Sequence, residues 1–183
     1  MFSFAIPYLT WSAAKSGKAS EVEFYLADYK KELGNDFDYY LSQAFLSAGK
    51  KDHQGAIRNL ESARYHLSHF NGKRLFPGWY QLAEICEWLY EDSKYEGYRE
   101  QLLKFVRLRQ TIRPMDSWAY AFEAKYTKSD ADRTRALAIT LYLDKQSERI
   151  AHFSNGQKSK ALDWLKENNP FLQSQQKSRQ KDI

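Results

Sequence analysis

Cysteine, glycine, proline and long apolar runs are all scarce in this sequence, and each shortage removes a class of protein. Cys86 is the only cysteine, so no disulfide can form within the chain and a disulfide-stapled scaffold is excluded. A reducing, cytoplasmic setting is compatible with that usage. Eight glycines and four prolines in 183 residues are too few punctuators for a many-turned β-sandwich or barrel. Thr, Val and Ile never gather into alternating runs, so sheet content is expected to be near zero. No stretch approaches the roughly 18 to 20 consecutive apolar residues that a membrane span needs. The opening MFSFAIPYLTWSAAKSGKAS lacks a basic start, and Pro7 and Trp11 interrupt it, so it reads as a first helix rather than a signal peptide.

Aromatic residues and charge are abundant: 13 Tyr, 11 Phe and 5 Trp, with 28 basic against 23 acidic residues for a net charge of +5. Aromatic side chains carry large apolar areas and can hold together elements that meet over narrow seams. The basic excess is mild and interleaved with acid. That pattern fits a solvated mixed-charge surface better than the one-sided basic stripe of a nucleic-acid binder.

Helix punctuation recurs at short intervals. Ser20 and Glu23 have the spacing of a capping box, in which hydroxyl and carboxylate satisfy the orphan N–H groups of a first turn. Val22, Leu26, Tyr29 and Leu33 follow at helical spacing, and Gly34 is a stop. Asn35 or Asp36 caps a stripe of Tyr40, Leu41, Ala44, Phe45 and Ala48 that ends at Gly49. Asp52 opens a longer helix with Ala56, Leu60, Ala63 and Leu67 on one face, running to Asn71-Gly72. Pro77 begins a helix bearing Trp79, Leu82, Ala83, Cys86 and Leu89. Ser93 and Glu96 form a second capping-box pattern ahead of Tyr98, Leu102, Phe105 and Val106, with a break at Pro114. Asp116 or Ser117 opens the next helix, to about Tyr126, and Asp130 opens the one carrying Ala136, Leu137, Thr140, Leu141 and Leu143. A short helix from Glu148 stops at Asn155-Gly156, and Lys158 to Asn168 closes the series. The reading is one all-α domain over 1–172 and a flexible basic tail over 173–183, which lacks apolar anchors.

Chemistry-bearing patterns are weak. There is no phosphate-binding Gly-rich loop, zinc-protease signature or nucleophile elbow. His66 and His69 share a helix at i, i+3, but two ligands do not close a zinc site. Glu84, Glu87 and Glu91 form an acidic row best read as a solvated face. Arg99, Lys104, Arg107, Arg109 and Arg113 are spread around their helix, with Glu96 and Glu100 at hand to pair with them. The expectation is a chain with no catalytic residues, no cofactor and no metal.

From Phe37 to Phe70, Tyr40 and Ala44 on one helix and Ala56, Leu60 and Ala63 on the next repeat a large–small and small–large–small pattern. This segment resembles a tetratricopeptide repeat (TPR), and similar units continue through Trp79, Ala83 and Leu102, through Tyr120, Ala124, Ala136 and Thr140, and at Ala161 and Leu165. Around Ile6 to Leu33 the pattern is degenerate. Small residues let the helices of one hairpin approach closely, and large ones fill the gap to the next hairpin. The small sites Ala44, Ala83 and Ala124 lie further apart than the 34-residue period of the family, and its usual glycine is absent, so a related hairpin array or an irregular bundle stays open beside it. The resemblance implies antiparallel helical hairpins stacked as a right-handed superhelix.

It also implies a function. The first helix of each pair would line a concave groove, which places Leu41, Phe45, Tyr80, Glu84, Trp88, Ala121 and Lys125 toward a partner. Leu41, Phe45 and Trp88 stand where family members that grip acidic peptides carry Lys, Asn or Arg. An apolar or amphipathic helix or peptide of another protein is therefore the expected ligand, unless these aromatics pack inside the array. The expected role is a non-catalytic adaptor or scaffold. The alternative is a helical-repeat protein contacting nucleic acid or another polyanion through 93–113 and the tail.

Overall fold

A computed structural model describes residues 5–69 and 75–169. Among them the chain is all-helical, with no strand, in the order α1 (Ala5–Lys15), α2 (Ala19–Leu33), α3 (Phe37–Gly49), α4 (His53–His69), α5 (Leu75–Ser93), α6 (Glu96–Ile112), α7 (Ser117–Tyr126), α8 (Asp130–Leu143), a 3-10 turn (Glu148–Ile150) and α9 (Asn155–Asn168). None of these helices is long and apolar enough to cross a membrane. Residues 173–183, read above as a flexible tail, lie outside the described residues.

Local chemistry explains most boundaries. The Asp36 carboxylate accepts from the Tyr39 N–H at 2.9 Å and starts α3. Asp52 does the same for Gly55 at 2.8 Å and starts α4. These bonds satisfy first-turn donors that a helix cannot bond internally. Gly34 ends α2 at φ +80° and returns its N–H to the Lys30 carbonyl, a conformation that glycine adopts without steric cost.

Both expected capping boxes are absent. Gly17, at φ +78°, turns the chain one step earlier than Ser20 requires, so α2 starts at Ala19 behind Lys18, which makes no side-chain cap. Glu23 instead pairs with Lys50. Ser93 still belongs to α5 and donates to the Leu89 carbonyl, while Glu96 holds Arg99. A capping box does form at Ser154 and Gln157, bonding each other's backbone N–H at 3.3 and 2.9 Å. Asn155-Gly156, expected to end a helix, thus lies in the first turn of α9.

The chain divides into two compact units, Met1–Leu102 and Leu103–Ile183, with the boundary inside α6. In the first, α3 and α4 form a tightly packed hairpin, and α1 and α2 also pack on α3. Ala44, Ala56, Leu60 and Ala63 have no exposed surface, as the small–large pattern of this hairpin requires. In the second, α7, α8 and α9 enclose a core of Tyr120, Ala124, Ala136, Leu137, Leu141, Ile150, Phe153 and Ala161. There Ala124 and Ala136 keep the α7–α8 seam narrow.

Candidate helix-binding groove

The residues expected to line a groove in the first unit come from α3 and α5, and α1 lies across both. The Trp11 ring sits 5.0 Å from that of Phe45 on α3. One turn back, Tyr8 sits 5.3 Å from Trp88 on α5. One turn forward, Lys15 pairs with Asp92 at the end of α5 and lies 4.8 Å over the Trp11 ring. Residues 8, 11 and 15 share one face of a helix by their spacing. Helix α1 therefore presents an aromatic–aromatic–basic stripe to an aromatic–aromatic–acidic track. The approach is close: a Cβ built on Gly49 would come within 2.9 Å of the Ala14 Cβ. Gly49 ends α3 without a positive φ, and the left-handed residue after it is Lys51, so here glycine makes room for a neighbouring helix.

Tyr8 carries the electrostatic signature of this docking. Its hydroxyl pKa is raised, mainly by burial and then by the neighbouring Glu84 carboxylate. Gln81 lies beside it and lowers that shift slightly. The Gln81 amide is buried without any partner in full hydrogen-bond geometry, so its contact with Tyr8 is weak.

The expected groove residues therefore divide. Leu41 and Phe45 are fully buried, with Phe45 beneath the Trp11 ring of α1, so neither forms an open lining. Ala121 on α7 is likewise buried. Tyr80 and Glu84 are half-buried, and Trp88 keeps about a third of its surface, 36%, in solvent beside Tyr8. Lys125 belongs to the second unit, where it is exposed with its ammonium 4.8 Å over the Tyr126 ring. The repeat pattern does not assign Trp11 and Tyr8 to this site, because it is degenerate over α1.

The other chemistry-bearing residues are engaged structurally. No group of three or more His, Cys, Asp or Glu residues among those described could hold a metal ion. His66 packs 5.1 Å from Tyr40, and the side chain of His69 lies outside the described residues. Glu87 of the acidic row is almost buried, and Glu91 pairs with Lys94. Arg99 and Arg109, nearly buried, bind Glu96 and Asp116 at 2.7 and 2.6 Å. Cys86 is enclosed, and burial pushes its thiol pKa well up.

One residue that the sequence did not single out organises the second unit. Glu123 on α7 is wholly buried. It accepts from Arg107 at 2.8 Å, Arg135 at 2.9 Å and Gln110 at 3.0 Å. Arg107 also reaches Asp132 at 3.1 Å. Nothing near Glu123 in sequence marks it, because its partners come from α6 and α8. No family model, curated protein or solved structure matches the chain.

Proposed function

We propose that this chain is a non-catalytic protein-binding scaffold of TPR-like hairpins, in which the α3–α5 track receives a helix of a partner protein. The observation that carries the reading is the seating of α1, with Trp11 on Phe45, Tyr8 on Trp88 and Lys15 on Asp92. It displays the chemistry that the track selects: two aromatic residues one turn apart and a cation one turn further on. Aromatic anchors of this kind carry much of the energy in helix-in-groove recognition. The buried small residues of the α3–α4 and α7–α8 hairpins support the repeat architecture, since such pairs expose their first helices along one side. A partner helix would compete with α1 for Phe45 and use Tyr80, Glu84 and Trp88 as the rim.

The polyanion reading has less behind it, because Arg99, Arg107 and Arg109 already hold carboxylates. A labelled peptide of the α1 sequence, added in trans to the full chain, tests the scaffold reading. Trp11→Ala should weaken the resident helix and raise the peptide's affinity by about tenfold or more over the native chain. Failure of the Trp11→Ala chain to bind, with α1 shown by hydrogen exchange to be released, would sink the proposal.

A further inference from the structure

Helix α5 turns one stripe toward α1. Gln81, Trp88 and Asp92 fall in line by helical spacing, with Glu84 beside them. Trp88 meets the Tyr8 ring, and Asp92 pairs with Lys15. Gln81 is the member of this stripe that the resting chain does not satisfy. It is 5% exposed, and neither its carbonyl oxygen nor its amide nitrogen reaches solvent or completes a hydrogen bond in full geometry. The Tyr8 hydroxyl lies beside it and makes only a weak contact. A glutamine amide carries two donors and a carbonyl with two lone pairs, and burying such groups without partners is costly. An apolar side chain of the same length would fill the seam without that cost. The resting fold therefore gives no reason for a glutamine here, and a ligand of the track does.

We infer that Gln81 sets the specificity of the track by pairing its amide with a side-chain carboxamide on the partner helix. This rests on the groove reading above and refines the first anchor that α1 displays, from an aromatic ring to an amide. Two planar amides placed edge to edge exchange a pair of N–H···O=C bonds, so each supplies what the other lacks. Other side chains match less well. A carboxylate leaves the Gln81 carbonyl without a donor and meets the Glu84 carboxylate beside Tyr8, a like charge. A lysine or arginine leaves the Gln81 amide nitrogen without an acceptor. The tyrosine hydroxyl can donate and accept, but it stands at the end of a rigid ring that packs on Trp88. A glutamine in place of Tyr8 lays its methylenes against Trp88 and carries its amide toward Gln81. The partner motif is then a carboxamide, an aromatic residue three positions on and a cation at seven, the positions of Tyr8, Trp11 and Lys15. Helix α1 matches the last two and fails the first. It covers the track as a placeholder that a better-matched helix displaces.

Labelled peptides of the α1 sequence, native and with Tyr8→Gln, titrated into the full chain carrying Trp11→Ala, test this. The Tyr8→Gln peptide should bind about tenfold more tightly, because it relieves two buried unsatisfied groups and gives up one ring contact with a partly exposed Trp88. Adding Gln81→Met to that chain keeps the length of the side chain without its polar atoms. It should bring the two affinities to within about twofold of each other. A second readout needs no peptide. In the otherwise native chain, Gln81→Met should slow hydrogen exchange of the α1 amides by about fivefold, since the resting seam loses only an unsatisfied amide. Equal binding of the two peptides, or a preference that survives Gln81→Met, would overturn the inference while binding of the native peptide leaves the groove reading standing. Unchanged or faster exchange of α1 in Gln81→Met would overturn it as well, by showing that the amide is satisfied at rest. If neither peptide binds the opened chain, the groove reading falls and this inference falls with it.

Discussion

Replacing Trp11 with alanine probes how firmly α1 is held. The indole is half-buried, 5.0 Å from a Phe45 ring that has no exposed surface, and Lys15 stands over it. Half of a tryptophan's usual burial is about 100 Å², which at about 25 cal/mol per Å² is roughly 2.5 kcal/mol. The ring pair with Phe45 adds about 0.5 to 1 kcal/mol, and the solvent-exposed cation contact about 0.5 kcal/mol. The carbon that alanine keeps retains about 0.8 kcal/mol of this sum, so the loss should be about 3 kcal/mol, or roughly a hundredfold in the opening equilibrium of α1. Much of it should fall on that helix, because α3 and α4 keep their own buried seam of Ala44, Ala56, Leu60 and Ala63. Native-state hydrogen exchange reads the distribution directly. Amides of α1 should exchange up to about a hundredfold faster, while those of α4 move far less. Equal acceleration in both helices would mean that α1 is an integral part of one cooperative core. No change in α1 would refute the seating of Trp11 altogether.

Other perturbations check other parts of the fold. Ala63→Leu puts three extra carbons into a fully closed seam and should cost about 1 to 3 kcal/mol in denaturant melts, and an unchanged midpoint would contradict the tight α3–α4 packing. Glu123→Gln keeps the shape but removes the charge that Arg107 and Arg135 share. Because both arginines are more than a third exposed and can be resolvated, the loss should be about 1 to 2 kcal/mol, and a stabilised variant would refute the hub. Burial raises the hydroxyl pKa of Tyr8, Tyr98 and Tyr120 above its ordinary value of 10.0. The folded chain thus holds those protons more tightly than the unfolded chain. Stability should be intact below pH 10 in this respect and fall as pH rises beyond it, with a shallower fall in Tyr8→Phe. A flat profile to pH 12 would contradict the burial of all three. Cys86 should resist a thiol reagent until denaturant is added, and rapid labelling of the native chain would show α5 to be open.

The all-α class, most helix positions and the close α3–α4 seam were legible in the sequence, because periodicity, Asp caps and small-residue spacing act within one helix or between neighbours in the chain. Asp36 and Asp52 cap where their spacing predicts. Ser20 and Ser93 do not, although their pattern is the same. A cap depends on the φ/ψ path of the residues before it, and Gly17 alters that path ahead of Ser20. What only the tertiary structure decided is which apolar faces meet. Phe45 reads equally well as groove or core until Trp11 of α1 folds over it. Tyr25, off the inward stripe of α2, remains exposed and lines a cavity that needs both α1 and α2 to exist. Glu123 is tolerable in a core because Arg107 and Arg135, distant in sequence, supply its bonds. Burial of a side chain is a property of what covers it, and for these residues the cover comes from another helix.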